Sequence, residues 1–275
     1  KLPVNILGIF AASENLPSGS AYKPGDVFKT YQGTFIEIVN TELILADLET
    51  LERRIVKVEK AARSGDKESR RVLDFCSRMK SALSRGVAAR NVPRAEQETD
   101  IARDLHLLTD KKVLYIANVS ESVLKEDGAY IRQVEEYARK EGAQAIAICG
   151  DMEMEIAKLD RKEQKDFLAD LGLEESGLQK LIRAGYELLD LITFYTTVGP
   201  ELRAWTIKRG TRAPEAAGRI HTDMERGFIR AEVAHYDDFI RAGTLSAVRE
   251  KGLLHLEGKD YPIQDGDIVY FRFNV

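Results

Sequence analysis

Cysteine is nearly absent from this chain. Cys76 and Cys149 are the only two in 275 residues, too few for a disulfide framework or a four-cysteine zinc site. They read as buried, reduced thiols of a cytoplasmic protein. The four histidines, His106, His221, His235 and His255, show no metal-ligand spacing. No serine or cysteine stands in a G-x-S-x-G or Cys-x-x-Cys setting that would mark a nucleophile. No apolar run approaches the roughly 18 residues that a membrane span needs, and no signal peptide is visible. Excess positive charge is missing too. The formal net charge of −4 argues against a globally basic nucleic-acid binder, although it leaves a local basic face open. The chain opens on Lys1-Leu2-Pro3 rather than Met, as a fragment would.

With 44% hydrophobic and 31% charged residues, the chain has ample apolar content for a core. Val4–Phe10 reads as a buried strand, Tyr22-Lys-Pro-Gly-Asp26 as a turn, and Thr34–Val39 as a second strand by its alternation. From Ile44 the period changes. Ile44, Leu48, Leu51, Ile55 and Val58 form the seam of an amphipathic helix. Ser64-Gly-Asp66 breaks it, and Val72, Cys76, Met79 and Leu83 repeat the spacing. The pair should pack antiparallel, either as a projecting arm or as ordinary helix packing. A third helix is expected over Glu96–Leu108.

Val113–Ala117 is short and continuously apolar, as a strand buried on both faces would be. A helix carrying Ile131, Val134 and Ala138 follows, then a second apolar strand, Gln144–Cys149. This is a βαβ unit. Helices over Arg161–Leu171 and Glu174–Leu189 complete the region. The period then returns to two. Ile192–Thr197 and Arg203–Ile207 should form a hairpin about Val198-Gly-Pro-Glu201, followed by a short helix at Pro214–Gly218 and a strand at Phe228–Val233. Tyr261–Phe273 should supply two strands about Asp265-Gly266. The expected whole is an α/β chain with a small C-terminal α+β module of β-grasp type.

Ligands of open α/β sheets bind beyond the carboxyl ends of the strands. Asn118 and Glu121 lie just past one such end, and Cys149, Gly150 and Asp151 just past the next. An Asn amide both donates and accepts, which suits the N6/N7 edge of a purine, and Glu121 can accept from a base or a ribose hydroxyl. Asn at a strand end is also a common turn former, and Gly150 can serve only a turn. The complement is absent: no G-x-x-x-x-G-K-[ST] supplies amides, lysine and a magnesium-binding hydroxyl for phosphates. Hydrolysis depends on those phosphate contacts, so turnover is not expected. Arg203, Lys208, Arg209, Arg212, Arg219, Arg226 and Arg230, with Trp205 and Phe228, make a charge pattern of RNA-binding style. Interleaved acids make a merely solvated face equally compatible with it.

From about Asn40 onward the chain resembles the YchF family of Obg-related P-loop ATPases. The resemblance rests on Asn40–Leu48, Tyr115–Glu121, Ile182–Tyr186, Arg203–Ile207, Ala213–Gly218, Ile220–Asp223, Glu225–Arg230, Glu257–Tyr261 and Asp265–Asp267. It implies an antiparallel helical coiled-coil insertion over 44–109, the remainder of a partial P-loop-type nucleotide-binding domain over 110–190, and a TGS domain over 191–275. It further implies ATP as ligand, with Mg in intact members, and matches Asn118, Val119 and Glu121 to the family's base-reading Asn-x-x-Glu; Cys149 and Gly150, past the next strand end, are the other candidates for contact with the nucleotide. Family members are cytoplasmic, associate with the ribosome (the large subunit) or RNA, and act in translation and stress responses. Neither a membrane nor DNA is an expected partner. The alternative is a non-enzymatic ribosome, RNA or protein binding module built on the TGS and coiled-coil parts.

Residues 1–43 form a different segment. Leu2–Gly19, Ala21–Val27 and Thr34–Thr41 resemble a leucine aminopeptidase. Asn40-Thr41 runs straight into Glu42-Leu43, where aminopeptidases carry metal-ligand carboxylates and an arginine. No dinuclear metal site is therefore expected, and the joint between the two resemblances should lie near residues 40–47.

Overall fold

The structure, a computed structural model, describes residues 4–10, 35–125, 128–198 and 201–274. The Tyr22–Asp26 turn, the loop at 199–200 and most of the aminopeptidase-like segment lie outside the described residues. The chain divides into two compact units, one running through Ala184 and one beginning at Gly185.

The first unit opens with strand β1 (Val4–Phe10) and helix α1 (Phe35–Arg63). The strand expected at residues 34–39 is instead the first turn of α1. Phe35-Ile-Glu-Ile-Val39 has strand-like composition, but Ile36, Asn40, Ile44, Asp47 and Leu51 follow one another at helical steps. That stripe prevails because both ends of it are buried. Ile36 packs with Val113, Tyr115, Ile131 and Val134, whereas Ile44 and Leu51 pack with Phe75, Cys76, Met79 and Leu83. One helix thus enters two apolar cores, which outweighs the local β preference of its first residues.

Helix α2 (Lys67–Leu83) returns alongside α1. Gly65 turns the chain at φ +98°, a conformation that favours glycine. Asp66 then caps α2, its carboxylate accepting from Ser69 N at 2.8 Å. Two short 3-10 turns, Ala89–Asn91 and Glu96–Glu98, lead into α3 (Thr99–Leu105). This helix is shorter than the Glu96–Leu108 span expected, because His106 takes a left-handed φ of 52° and ends it.

Strand β2 (Lys112–Asn118) is central in a parallel sheet of order β1-β2-β3, with β3 spanning Gln144–Ile148. Phe10 pairs with Asn118, and Asn118 with Ile148. Helix α4 (Glu121–Lys125) follows β2, and α5 (Ala129–Lys140) makes the crossover. Its Ile131, Val134 and Ala138 cover Val113, Tyr115 and Ala117. Helices α6 (Gly150–Ile156), α7 (Arg161–Asp170) and α8 (Gly177–Leu189) complete the run. Cys76 and Cys149 are both free and buried.

Two carboxylates organise the first unit, Asp47 buried and Glu141 half-buried. Asp47, on the inward face of α1 and 1% exposed, accepts from Leu108 N at 2.7 Å, Thr109 N at 2.8 Å and Thr109 Oγ1 at 2.7 Å. It thereby clamps the turn that launches β2. Glu141 accepts from Arg90 Nη2 at 2.8 Å, Tyr115 OH at 2.7 Å and Tyr137 OH at 3.3 Å. Asn40 Nδ2 in turn donates to Tyr137 OH at 3.3 Å. Burial, reinforced by the Glu141 carboxylate, pushes the Tyr115 phenol well above its ordinary range.

The second unit is a mixed five-stranded sheet of order β5-β4-β8-β6-β7. Its strands are β4 (Leu191–Val198), β5 (Glu201–Lys208), β6 (Phe228–Ala234), β7 (His255–Glu257) and β8 (Ile268–Phe273). β4 and β8 are parallel and the other pairs antiparallel. Of the two strands expected across Tyr261–Phe273, only the second forms. The first is reduced to a single bridge between Arg212 and Pro262, since Pro262 has no N–H to continue a ladder.

Helices α9 (Ala213–Gly218) and α10 (Thr222–Arg226) lie over one face, whose core holds Ile192, Phe194, Val233, Val269 and Phe271. Helices α11 (Tyr236–Ala242) and α12 (Leu245–Glu250) partly cover the other, about Ala234, Val248 and Ile268. Asp267 is 1% exposed and fixes the turn before β8. It meets His235 Nδ1 at 2.9 Å and accepts from Tyr261 OH and Gln264 N, both at 2.9 Å.

Candidate functional site: the strand ends of the parallel sheet

The central strand is apolar because both its faces are covered. Val113 through Ala117 are all buried, and the first half-exposed residue is Asn118. Register places Phe10, Asn118 and Ile148 in one row across the carboxyl edge. Beyond that row the pairing persists for one step, with Val119 N donating to Ile148 O at 2.8 Å. Val119 is consequently buried and contributes backbone and packing. Ser120 precedes α4, and Glu121 is exposed in its first turn.

Asn118 Oδ1 accepts from Gly150 N at 3.1 Å, so the amide at the end of one strand is held by the turn after the next. A Cβ on Gly150 would lie 3.4 Å from that oxygen and 3.9 Å from Nδ2. Both are ordinary contact distances, so what Gly150 contributes to the Asn118 amide is its backbone N–H and not the absence of a side chain. Cys149 is buried and precedes α6 as its N-cap. It packs with Met152, Ile156 and Leu168, so its thiol belongs to the core. Of the five residues singled out, Asn118 and Gly150 touch, Glu121 stands on the same rim, and Val119 and Cys149 form the floor.

Chemically, one lone pair of Asn118 Oδ1 is engaged, while its second lone pair and the Nδ2 donors are the groups that would meet a purine edge. Next to this rim, Glu153 of α6 caps α8, accepting from Gly177 N at 2.6 Å and Leu178 N at 3.0 Å. A cleft of about 460 Å³ lies beside it, lined among others by Arg161, Gln164, Lys165 and Gln179. Among the described residues no group of three His, Cys, Asp or Glu side chains could hold a metal ion.

The basic residues of the second unit are mostly engaged. Arg209 pairs with Asp190 at 3.2 Å and Arg212 with Asp260 at 2.9 Å, and Arg226 pairs with Asp223. Trp205 is part-buried and donates to Thr196 Oγ1 at 2.9 Å, and Phe228 is core, so neither is an open stacking surface. Sequence reasoning passed over Arg249 and Arg272. With Arg230 they surround Glu232, at 3.5, 2.8 and 3.8 Å respectively. The signal was a lone Glu between the apolar residues Ala231, Val233 and Ala234 of the strand.

Arg272, and then the other two arginines, hold the Glu232 carboxyl below its ordinary value of 4.5. A depressed folded pKa contributes stability that is present above the unfolded value and lost as pH falls through the folded one. Glu232→Gln should therefore narrow its stability gap to the parent as pH falls from 7 to below 4.5. Urea melts at stepped pH check this, and a gap constant with pH would refute it.

Comparisons with known proteins agree with this architecture. The YchF-GTPase_C family model (protein of unknown function, DUF933) matches residues 191–274. The cytosol aminopeptidase family, catalytic domain, matches residues 1–60, so that likeness runs well into α1. A ribosome-binding ATPase YchF of Bacillus subtilis is 46% identical over 242 residues, covering 87% of this chain and 66% of the relative. The same-named protein of Escherichia coli O157:H7 is 45% identical over 240 residues, with the same coverage. The chain thus spans just under two thirds of the length of these curated relatives.

The structure of the Schizosaccharomyces pombe YchF GTPase superposes with a TM-score of 0.80 at 27% identity, over 97% of this chain and 71% of that one. A GTP binding protein from Pyrococcus horikoshii shares the fold, with a TM-score of 0.54 at 18% identity. Sequence identity across most of the chain and the superposition point the same way: the chain belongs to the YchF family.

Proposed function

We propose that this chain is a ribosome-associated, nucleotide-binding protein of the cytoplasm whose strand-end rim reads the purine base of ATP. In this reading Asn118 meets the N6/N7 edge and Glu121 a base or ribose donor. Val119, Cys149 and Gly150 shape the floor. The observation that carries it is the Asn118 amide, held by Gly150 N at the carboxyl edge of the sheet. Names of the relatives support the ribosome and the nucleotide as partners. Helices α1 and α2 would be the coiled-coil arm, and the second unit the TGS module.

The residues suit the base and not the phosphates. Nothing in the sequence forms a G-x-x-x-x-G-K-[ST] loop, and such a loop supplies most phosphate affinity and the magnesium-binding hydroxyl. The protein as it stands should therefore bind ATP weakly and not turn it over. Titration calorimetry of ATP into the 275-residue chain should give a weak binding heat. Asn118→Ala and Glu121→Ala should each weaken it by about tenfold, the worth of roughly one good polar contact to a base. Unchanged binding in both variants, or magnesium-dependent release of phosphate by the parent, would sink the reading.

A further inference from the structure

The cleft of about 460 Å³ in the first unit opens between α6, α7 and α8. That size falls within the usual range of small-molecule sites, roughly 300–1,000 Å³. Its walls are tied together by side chains that are already engaged. Gln164 of α7 donates through Nε2 to the carbonyls of Ile156 and Leu159 at 3.1 Å each, closing the α6–α7 turn. Glu153 of α6 accepts from Gly177 N and Leu178 N, and Ser176 Oγ accepts from Gln179 N at 3.1 Å. The first amides of α8 are thus taken and do not supply the attraction for a ligand. The floor is apolar. Ile156 and Leu168 are buried there against Cys149 and Met152, and Leu178 stands at the rim, 55% exposed.

Charge in the cleft is unbalanced. Two cations, Arg161 and Lys165, and one carboxylate, Glu153, line it, which leaves one positive charge in excess. Arg161 and Lys165 stand four residues apart on one face of α7, and both are exposed. Neither makes an ion pair among the described residues. The Glu153 carboxylate is offset by the α8 amides and helix dipole that it caps. Gln179 accepts through Oε1 from Ser176 N at 2.9 Å, which leaves Nε2 as a donor on the same wall. A small inorganic anion would meet the cations and leave the floor wet. A neutral hydrocarbon would cover the floor and leave the cations unanswered. An aliphatic chain ending in one negative charge satisfies both.

We propose that this cleft binds an aliphatic monocarboxylate of medium chain length, its chain on Ile156, Leu168 and Leu178 and its carboxylate held by Arg161 and Lys165. Charge-assisted hydrogen bonds from guanidinium and ammonium fix the head. Burial of methylenes supplies the affinity, up to about fourfold for each one fully covered. The site shares no lining residue with the strand-end rim and does not rest on ATP binding there. An assay without nucleotide therefore lets the two readings fail independently.

The test is titration calorimetry of hexanoate, octanoate and decanoate into the full chain, below their micelle thresholds and without nucleotide. Decanoate should bind saturably, and affinity should climb by about two- to fourfold per methylene along the series. Arg161→Gln with Lys165→Gln should weaken decanoate by about tenfold or more and leave the weaker binding of decanol unchanged. Both positions are exposed, so the fold should survive. Lys158→Gln with Lys162→Gln removes the same charge from exposed positions outside the cleft and should change little. Amide chemical shifts on adding decanoate should move along α7 and the first turn of α8. No saturable decanoate binding by the parent, affinity independent of chain length, or equal losses in both double variants would overturn the proposal. So would decylammonium bound as tightly as decanoate, or shifts centred elsewhere.

Discussion

Asp47→Ala is expected to destabilise the first unit by about 3–5 kcal/mol, the scale for removing a buried, multiply bonded carboxylate. Three donors converge on that carboxylate, from Leu108 N, Thr109 N and Thr109 Oγ1. A hydroxyl can rotate toward another acceptor, but the Thr109 amide is fixed by the chain and would stay buried without its acceptor. Thr109 is itself a junction, since its Oγ1 accepts from Ala89 N at 3.0 Å and its carbonyl from Arg90 N at 3.1 Å. Loss of Asp47 should therefore loosen the helical arm and the start of β2 together. Urea melts followed by circular dichroism give the size of the effect. Hydrogen exchange gives its place, with protection lost first at Leu108 and Thr109. Asp47→Asn should recover part of the loss, because it keeps one acceptor oxygen but turns an N–H toward a donor. A midpoint within about 0.5 kcal/mol of the parent, the range of neutral surface changes, would show that the clamp is not structural.

In the second unit the corresponding residue is Asp267, and Asp267→Ala should cost about 2–4 kcal/mol there. Its carboxylate gathers His235, Tyr261 and the Gln264 amide, while its own carbonyl accepts from Tyr195 N at 2.7 Å. The side chain thus holds the turn whose backbone starts the parallel β4–β8 pairing. Burial and the Asp267 carboxylate raise the Tyr261 phenol well above its usual range. Once Asp267 is gone, that phenol should ionise at lower pH. Ultraviolet titration of the tyrosines reads this separately from stability, which distinguishes loss of the contact from general unfolding. Unchanged titration together with an unchanged melt would rule the contact out as a stabilising one. Exchange protection in the Asp47 region should be untouched by this variant, and the reverse should hold for Asp47→Ala.

Much of the fold was legible where one local period dominates. The seam from Ile44 to Val58, the stripe Ile131-Val134-Ala138 and the apolar strand Val113–Ala117 all reached the structure as helix, helix and strand. The residues that misled were those whose local composition opposes their surroundings. Phe35–Val39 alternates like a strand, yet its Ile36 is needed in the core under α5. Tyr261–Gln264 reads as a strand, yet Pro262 limits it to a single bridge. Of the candidate site, Asn118 and Gly150 could be proposed from their place after apolar runs. That the two hydrogen-bond across neighbouring strands depends on register, which no window of sequence carries.

By itself the sequence determined the elements and the family: periodic apolar stripes specify which faces must be buried, and motif wording specifies the relatives. It also determined what chemistry is missing, since a phosphate loop is a contiguous pattern. Only the tertiary structure decided how β1, drawn from the aminopeptidase-like segment, pairs in parallel with β2. Tertiary structure likewise decided that Asp47 and Glu141 face inward, and that Arg230, Arg249 and Arg272 converge on Glu232. The physical reason is a shared one. Most are contacts between residues far apart in the chain, made when polar groups taken from water must find partners.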